Sequence, residues 1–172
     1  MKKDLLFFIL LIIAARVSSQ PGVKIRGYEQ ENFPGTVPSG IKDENGNPQK
    51  KAAAEKNYYI FLSFNKKFNI TPSGIFIKGR SFAIETTYVK KTPVEFFNNN
   101  VSGHPQKMIL VPETDNKVIE IVTAVAKMEA KKDPYLRKLT GSNDVVIVYL
   151  WNNKKYFGVL KRLKKMEPFF NE

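Results

Sequence analysis

The chain has 172 residues and a formal net charge of +12, with 28 Lys and Arg against 16 Asp and Glu, one His and no Cys. The lack of Cys excludes a disulfide scaffold and a cysteine nucleophile, and with a single His it leaves no Cys/His set for a zinc site. The length suits one ordinary domain, able to bury enough apolar surface to fold without cross-links.

Lys2 and Lys3 precede an unbroken apolar run from Leu5 to Ala15, and Val17-Ser18-Ser19 places compact residues ahead of a cut before Gln20. That order is the layout of a secretory signal peptide over residues 1–19. An eleven-residue helix reaches only about 16 Å, roughly half of a hydrocarbon core, and Arg16 stops its extension. The sequence therefore predicts an exported protein, periplasmic or on the cell surface, that begins at or near Gln20 and keeps no stable transmembrane anchor. Lys2, Lys3 and Arg16 against Asp4 account for +2, so +10 remains on the mature chain.

Residues 20–56 are rich in Gly, Pro, Asn, Lys and Glu. Val23 to Tyr28 reads as a short edge strand, and Pro34-Gly35, Pro38-Ser39-Gly40 and Asn45-Gly46-Asn47-Pro48 read as turns. The segment is expected to be an N-terminal arm, ordered where it docks on a β-domain over residues 57–172.

Tyr58 to Phe64, YYIFLSF, is nearly all apolar, as in a strand covered on both faces. Thr71-Pro72-Ser73-Gly74 reads as a turn, Ile75 to Ile77 as a strand, and Gly79-Arg80 as its end. Phe82, Ile84, Thr86 and Tyr88 alternate with Ala83, Glu85, Thr87 and Val89, the period of a half-buried strand. Pro93 confines the next segment to an edge or short strand. A polar loop over residues 98–106 leads to a short strand, Met108 to Val111, closed by Pro112. Val118 to Val122 reads as strand, but Val118, Ile121, Val122, Val125 and Met128 also sit at helical spacing. Residues 123–140 are therefore open between strand and a short helix. Asp144 to Trp151 reads as a central strand, Asn152-Asn153 as a turn, and Lys154 to Leu163 as the hairpin partner.

Seven or eight strands with turns between them predict a mainly β fold. The expected architecture is an antiparallel β-sandwich, immunoglobulin-like in outline, with at most one short helix, and an open barrel is the alternative. No Cys pair is present to pack against Trp151, unlike in an immunoglobulin domain proper. The series YYIFLSF, GIFIKGRSFAIET, VKKTPVEF, ILVPETDNKVIEI and NDVVIVYLWNNKKYFGVLKRLKKMEP resembles small uncharacterised exported proteins of Bacteroidota-type bacteria over roughly residues 57–168. These are strand-and-turn signatures. The resemblance implies an envelope location and a β fold, and carries no activity or site residue with it.

Few residues offer chemistry. His104 lies in Gly103-His104-Pro105 within a polar loop, and no G-x-S-x-G elbow occurs. Asp43-Glu44-Asn45-Gly46-Asn47 alternates oxygens like a calcium loop, but Pro48 and Ala54 stand where such a loop needs Gly and Glu. Of Glu85, Glu113, Glu120 and Glu129, only Glu85 and Glu120 have apolar strand neighbours, and both are expected to face outward. Tyr58, Tyr59, Phe61, Phe64, Tyr149, Trp151, Tyr156 and Phe157 are expected to fill the interior or pair across strands. No catalytic, cofactor-binding or metal-ligating residue is assigned, and no cofactor is expected.

Lysines occur mostly in scattered pairs, with one concentration, Lys161, Arg162, Lys164 and Lys165, as a candidate anion-binding cluster at the end of the last strand. The sequence predicts an exported envelope binding or structural module without catalysis. Its partner is an envelope protein or, through that basic segment, an anionic envelope polymer, and export argues against nucleic acid. A hydrolase is the remaining alternative.

Overall fold

A computed structural model describes residues 21–33, 55–98, 106–127 and 134–170. In chain order the strands are β1 (Val23–Phe33), β2 (Glu55–Phe64), β3 (Thr71–Ile77), β4 (Arg80–Tyr88), β5 (Val94–Asn98), β6 (Gln106–Val111) and β7 (Lys117–Lys127). Helix α1 (Pro134–Ser142), β8 (Val145–Trp151), β9 (Lys154–Leu160), β10 (Lys164–Lys165) and β11 (Phe169–Phe170) follow. The fold is mainly β: one curled nine-stranded sheet in the order β10-β1-β2-β7-β4-β3-β8-β9, with β11 also on β1, and a second small sheet of β5 and β6. This layering is that of a β-sandwich, with one short helix among the described residues.

Two hairpins are fixed by local chemistry. Lys78 and Gly79 join β3 to β4 with φ of 47° and 82°, and Asn152 and Asn153 join β8 to β9 with φ of 49° and 58°. Paired left-handed residues make the tight turn whose twist matches the strands it joins, and Gly and Asn tolerate it best.

The curl brings the two ends of the long sheet together. A side-chain carbon on Gly158 of β9 would lie 2.8 Å from Ile25 of β1. Every neighbouring pair along β1-β2-β7-β4-β3-β8-β9 is antiparallel. Seven strands of alternating direction leave the first and last pointing the same way. The chain leaving β9 therefore joins β1 in parallel, as β10 (Tyr28 opposite Lys164) and β11 (Asn32 opposite Phe169) do. This covers a strand edge that would otherwise be open.

The inner face holds Ile60, Leu62 and Phe64 of β2, Ile75 and Ile77 of β3, Ile119 and Ile121 of β7, and Val145, Ile147 and Tyr149 of β8. On the outer face of β1, β2 and β7, the β5–β6 hairpin covers Tyr28, Phe61 and Val118 with Leu110 and Val111. The Tyr28 hydroxyl donates to the Leu110 carbonyl at 2.6 Å and fastens this second layer. β2 is thus covered on both faces, and β8 is buried on both from Val145 to Tyr149, as their unbroken apolar sequences require.

Four expectations need correction. β1 is not a short edge strand of an arm: it spans eleven residues and lies between β2 on one side and β10 and β11 on the other. The β core therefore begins at Val23, and Glu55 and Lys56 already belong to β2. Thr71 to Gly74 is not a turn but the start of β3, where the register against β8 shifts between Pro72 and Gly74. Proline has no N–H for the ladder, and a bulge accommodates it. The Ser73 hydroxyl takes up the Val148 carbonyl there, at 3.2 Å. β7 does not stop near Val122 but runs to Lys127, because β4 pairs with it as far as Ser81 opposite Lys127. The helix within 123–140 starts at Pro134, where a missing N–H costs nothing. Finally, Lys154 to Leu163 is not one hairpin strand: β9 ends at Leu160, and beyond the bend β10 and β11 pair with β1. The leader 1–19, the turns within 34–54, His104 and Glu129 lie outside the described residues.

Candidate functional site

Asp144, just ahead of β8, ties three separate segments together. Its carbonyl accepts the Lys78 backbone N–H at 2.7 Å, and its own N–H donates to the Lys161 carbonyl at 3.2 Å. Its carboxylate accepts the Leu163 N–H at 2.9 Å. The β3–β4 turn, the end of α1 and the bend between β9 and β10 therefore meet at one place. They enclose a groove of about 480 Å³ whose lining includes Lys78, Ser142, Asn143, Asp144, Lys161 and Arg162.

The helix end that forms one side is finished by its own side chains. Thr140, Ser142 and Asn143 donate to the carbonyls of Arg137, Lys138 and Leu139 at 3.1, 3.1 and 2.9 Å. Carbonyls satisfied in this way contribute less negative potential to the groove than open ones. An edge-on contact between Tyr135 and Phe157, with centroids 5.5 Å apart, seats α1 on β9.

Lys78 is anchored from within. Its ammonium donates to the carboxylate of Glu29 at 2.5 Å, and Glu29 is only 6% exposed on the inner side of β1. This hydrogen bond, offset in part by burial, raises the Lys78 pKa above the ordinary lysine value. Burial also raises the phenols of Tyr28 and Tyr59, Tyr59 with help from the nearby Glu120 charge. In all three the folded state holds the proton more tightly than the unfolded state. Their contribution is complete below the reference values of 10.0 for Tyr and 10.5 for Lys, and is lost as pH rises through the folded values. Urea titrations are accordingly expected to show stability falling above about pH 10. The gap between the parent and Lys78→Met should narrow over that alkaline range, and a gap that widens would contradict the pairing.

Of the four cations expected to cluster, the structure brings Lys161 and Arg162 to the groove and separates Lys164 and Lys165 from it. Lys164 lies over the Tyr28 ring, 5.9 Å from its centroid. Lys165 stands opposite Glu29 in the parallel register and borders a different depression beside Glu31, Met166 and Pro168. The bend at residues 161–163 turns one run of charge into two local settings. Lys78 and Asp144, which complete the groove, were not singled out by sequence. Their only local marks are the Lys-Gly turn and an acidic residue before an apolar strand.

The other sequence candidates are elsewhere. Glu85 opposes Val122 and Glu120 opposes Thr87, so both glutamates lie diagonally on the outer face of β4 and β7, as expected of outward-facing residues. Phe64 and Tyr149 are fully buried, Trp151 packs between Phe68 and Tyr156, and Tyr59 stacks at a tilt on Phe96 beneath the hairpin. These rings fill the interior. Among the described residues no group of three or more His, Cys, Asp and Glu is placed to hold a metal ion, and no helix is long and apolar enough to cross a membrane. No family model matches the chain, and no curated protein sequence matches it.

Proposed function

We propose that this chain is an exported, non-catalytic binding module of the cell envelope that holds an anionic envelope polymer at the groove beside Asp144. The observation that carries this reading is convergence. Lys78, Lys161 and Arg162 come from segments distant in sequence and border one cavity, in a chain of strongly positive net charge. Cations gathered around a concave surface focus potential far better than the same charges scattered over a convex one. Arg162 adds a planar fork suited to two-pronged contact with carboxylate or phosphate.

A second reading, a protein partner, is favoured by one feature. Phe97 and Ile109 are each 52% exposed on the outward face of the β5–β6 hairpin, away from the groove.

Two double variants separate a site from a general charge effect. Lys161→Gln/Arg162→Gln and Lys164→Gln/Lys165→Gln remove the same charge from neighbouring places. The first is expected to weaken binding of purified anionic envelope polymer about tenfold, and the second less than about twofold. Both should unfold within about 0.5 kcal/mol of the parent, because all four residues are exposed. Equal losses would mean that net charge alone binds. No loss from either would move the protein partner ahead.

A further inference from the structure

The groove offers two unlike sets of groups, and their chemistry narrows the ligand. From the β3–β4 turn and the β9–β10 bend come Lys78, Lys161 and Arg162, which can only donate hydrogen bonds. Lys78 gives one of its three N–H groups to Glu29 and has two others. From the end of α1 and the start of β8 come Ser142, Asn143 and Asp144. Their hydrogen bonds are already directed at the backbone: the Ser142 hydroxyl and the Asn143 amide donate into α1, and one Asp144 oxygen accepts from Leu163. What this side retains is mostly acceptor capacity, at Ser142 Oγ, Asn143 Oδ1 and the second Asp144 oxygen, beside one further N–H of the Asn143 amide.

A bare polyanion suits only half of such a groove. It pairs with the cations, but it presents lone pairs to the carboxylate of Asp144. A ligand that carries an anionic group together with hydroxyl donors suits both halves. Resting on the anion-binding reading above, we infer that the groove takes one acidic sugar unit of a polymer. Its carboxylate or phosphate meets Lys78, Lys161 and Arg162, and its hydroxyls donate to Ser142, Asn143 and Asp144. About 480 Å³ is within the usual size range of sites for small ligands. Among the described residues that line this groove there is no aromatic ring, so they add no stacking to the polar contacts. A single unit therefore binds weakly, and useful retention comes from many units on one polymer meeting many copies of the domain.

The test uses three probes at low salt: oligogalacturonate, the same oligomer with its carboxylates methyl-esterified, and inorganic phosphate. Calorimetry gives affinity, and amide shifts give location. Oligogalacturonate should perturb residues 140–144 and 161–163. Esterification should weaken it at least about tenfold, and phosphate at equal charge should bind at least about tenfold more weakly. Lys161→Gln/Arg162→Gln should abolish the oligomer's binding. Ser142→Ala should weaken the oligomer about threefold while leaving phosphate unchanged. Equal binding of phosphate and oligomer per charge, with Ser142→Ala indifferent, overturns the sugar and leaves the anion site standing. Failure of the oligomer to bind, while Lys161→Gln/Arg162→Gln still weakens retention of the native polymer about tenfold, overturns this ligand class alone. Retention of native polymer that ignores that double variant defeats the anion-binding reading itself.

Discussion

Replacing Ile147 by alanine is expected to cost the folded domain about 4 kcal/mol, near the upper end for a buried aliphatic truncation. Ile147 is 0% exposed, at the centre of β8, with Ile75 of β3 on one side and Gly158 of β9 on the other. The cost of such a cavity depends on how far its neighbours can relax into it. Gly158 has no side chain to move, and the space above it is already filled by Ile25. Urea unfolding should show a midpoint about 2 M lower, at an m-value near 2 kcal/mol/M. Ile147→Val, which removes one carbon, should cost only about 1 kcal/mol. A loss below about 1 kcal/mol for alanine would mean that the inner face of β8 is not packed within the core.

Gly27→Val has an effect whose sign discriminates. On an exposed edge strand, valine for glycine favours the extended backbone and stabilises it. Gly27 instead faces the closure of the curled sheet. A carbon added there would stand 2.7 Å from Leu163, 2.8 Å from Leu160 and 3.1 Å from Ile60. The first two contacts are with the tips of leucines, which can turn aside for alanine. Valine adds two further carbons against Ile60, which is fully buried. The expected result is destabilisation of about 2–3 kcal/mol, read by thermal or urea unfolding. A stabilised variant would return β1 to the status of a docked arm.

What the sequence made legible is what local chemistry decides. Asp144 to Trp151 reads as a central strand because both of its faces are apolar, and Asn152-Asn153 reads as its turn because asparagine accepts left-handed backbone. The corrected elements are those decided by a partner distant in the chain. Thr71 to Gly74 carries turn residues, yet β8 draws it into the ladder and a bulge absorbs Pro72. Val118 to Lys127 can be read at either period, and pairing with β4 selects the extended one. β1 sits in a segment diluted by Gly, Pro and Asn, and its second neighbour lies more than a hundred residues on, at Lys164 and Phe169. The site follows the same rule. Lys161 and Arg162 were visible as local charge density, and so were Lys164 and Lys165, because charge density does not reveal where a chain bends. Lys78 and Asp144 join them only through the sheet order, which no spacing encodes.

The most direct measurement is the salt dependence of polymer retention by the mature domain. Binding of purified anionic envelope polymer is followed from roughly 0.01 M to 0.15 M salt, over which the screening length falls from about 30 Å to 8 Å. The parent should weaken at least about tenfold across that range. Lys161→Gln/Arg162→Gln should start weak and show a much flatter response. Retention by the parent that does not change with salt, or a double variant that follows the parent throughout, would contradict electrostatic binding at this groove.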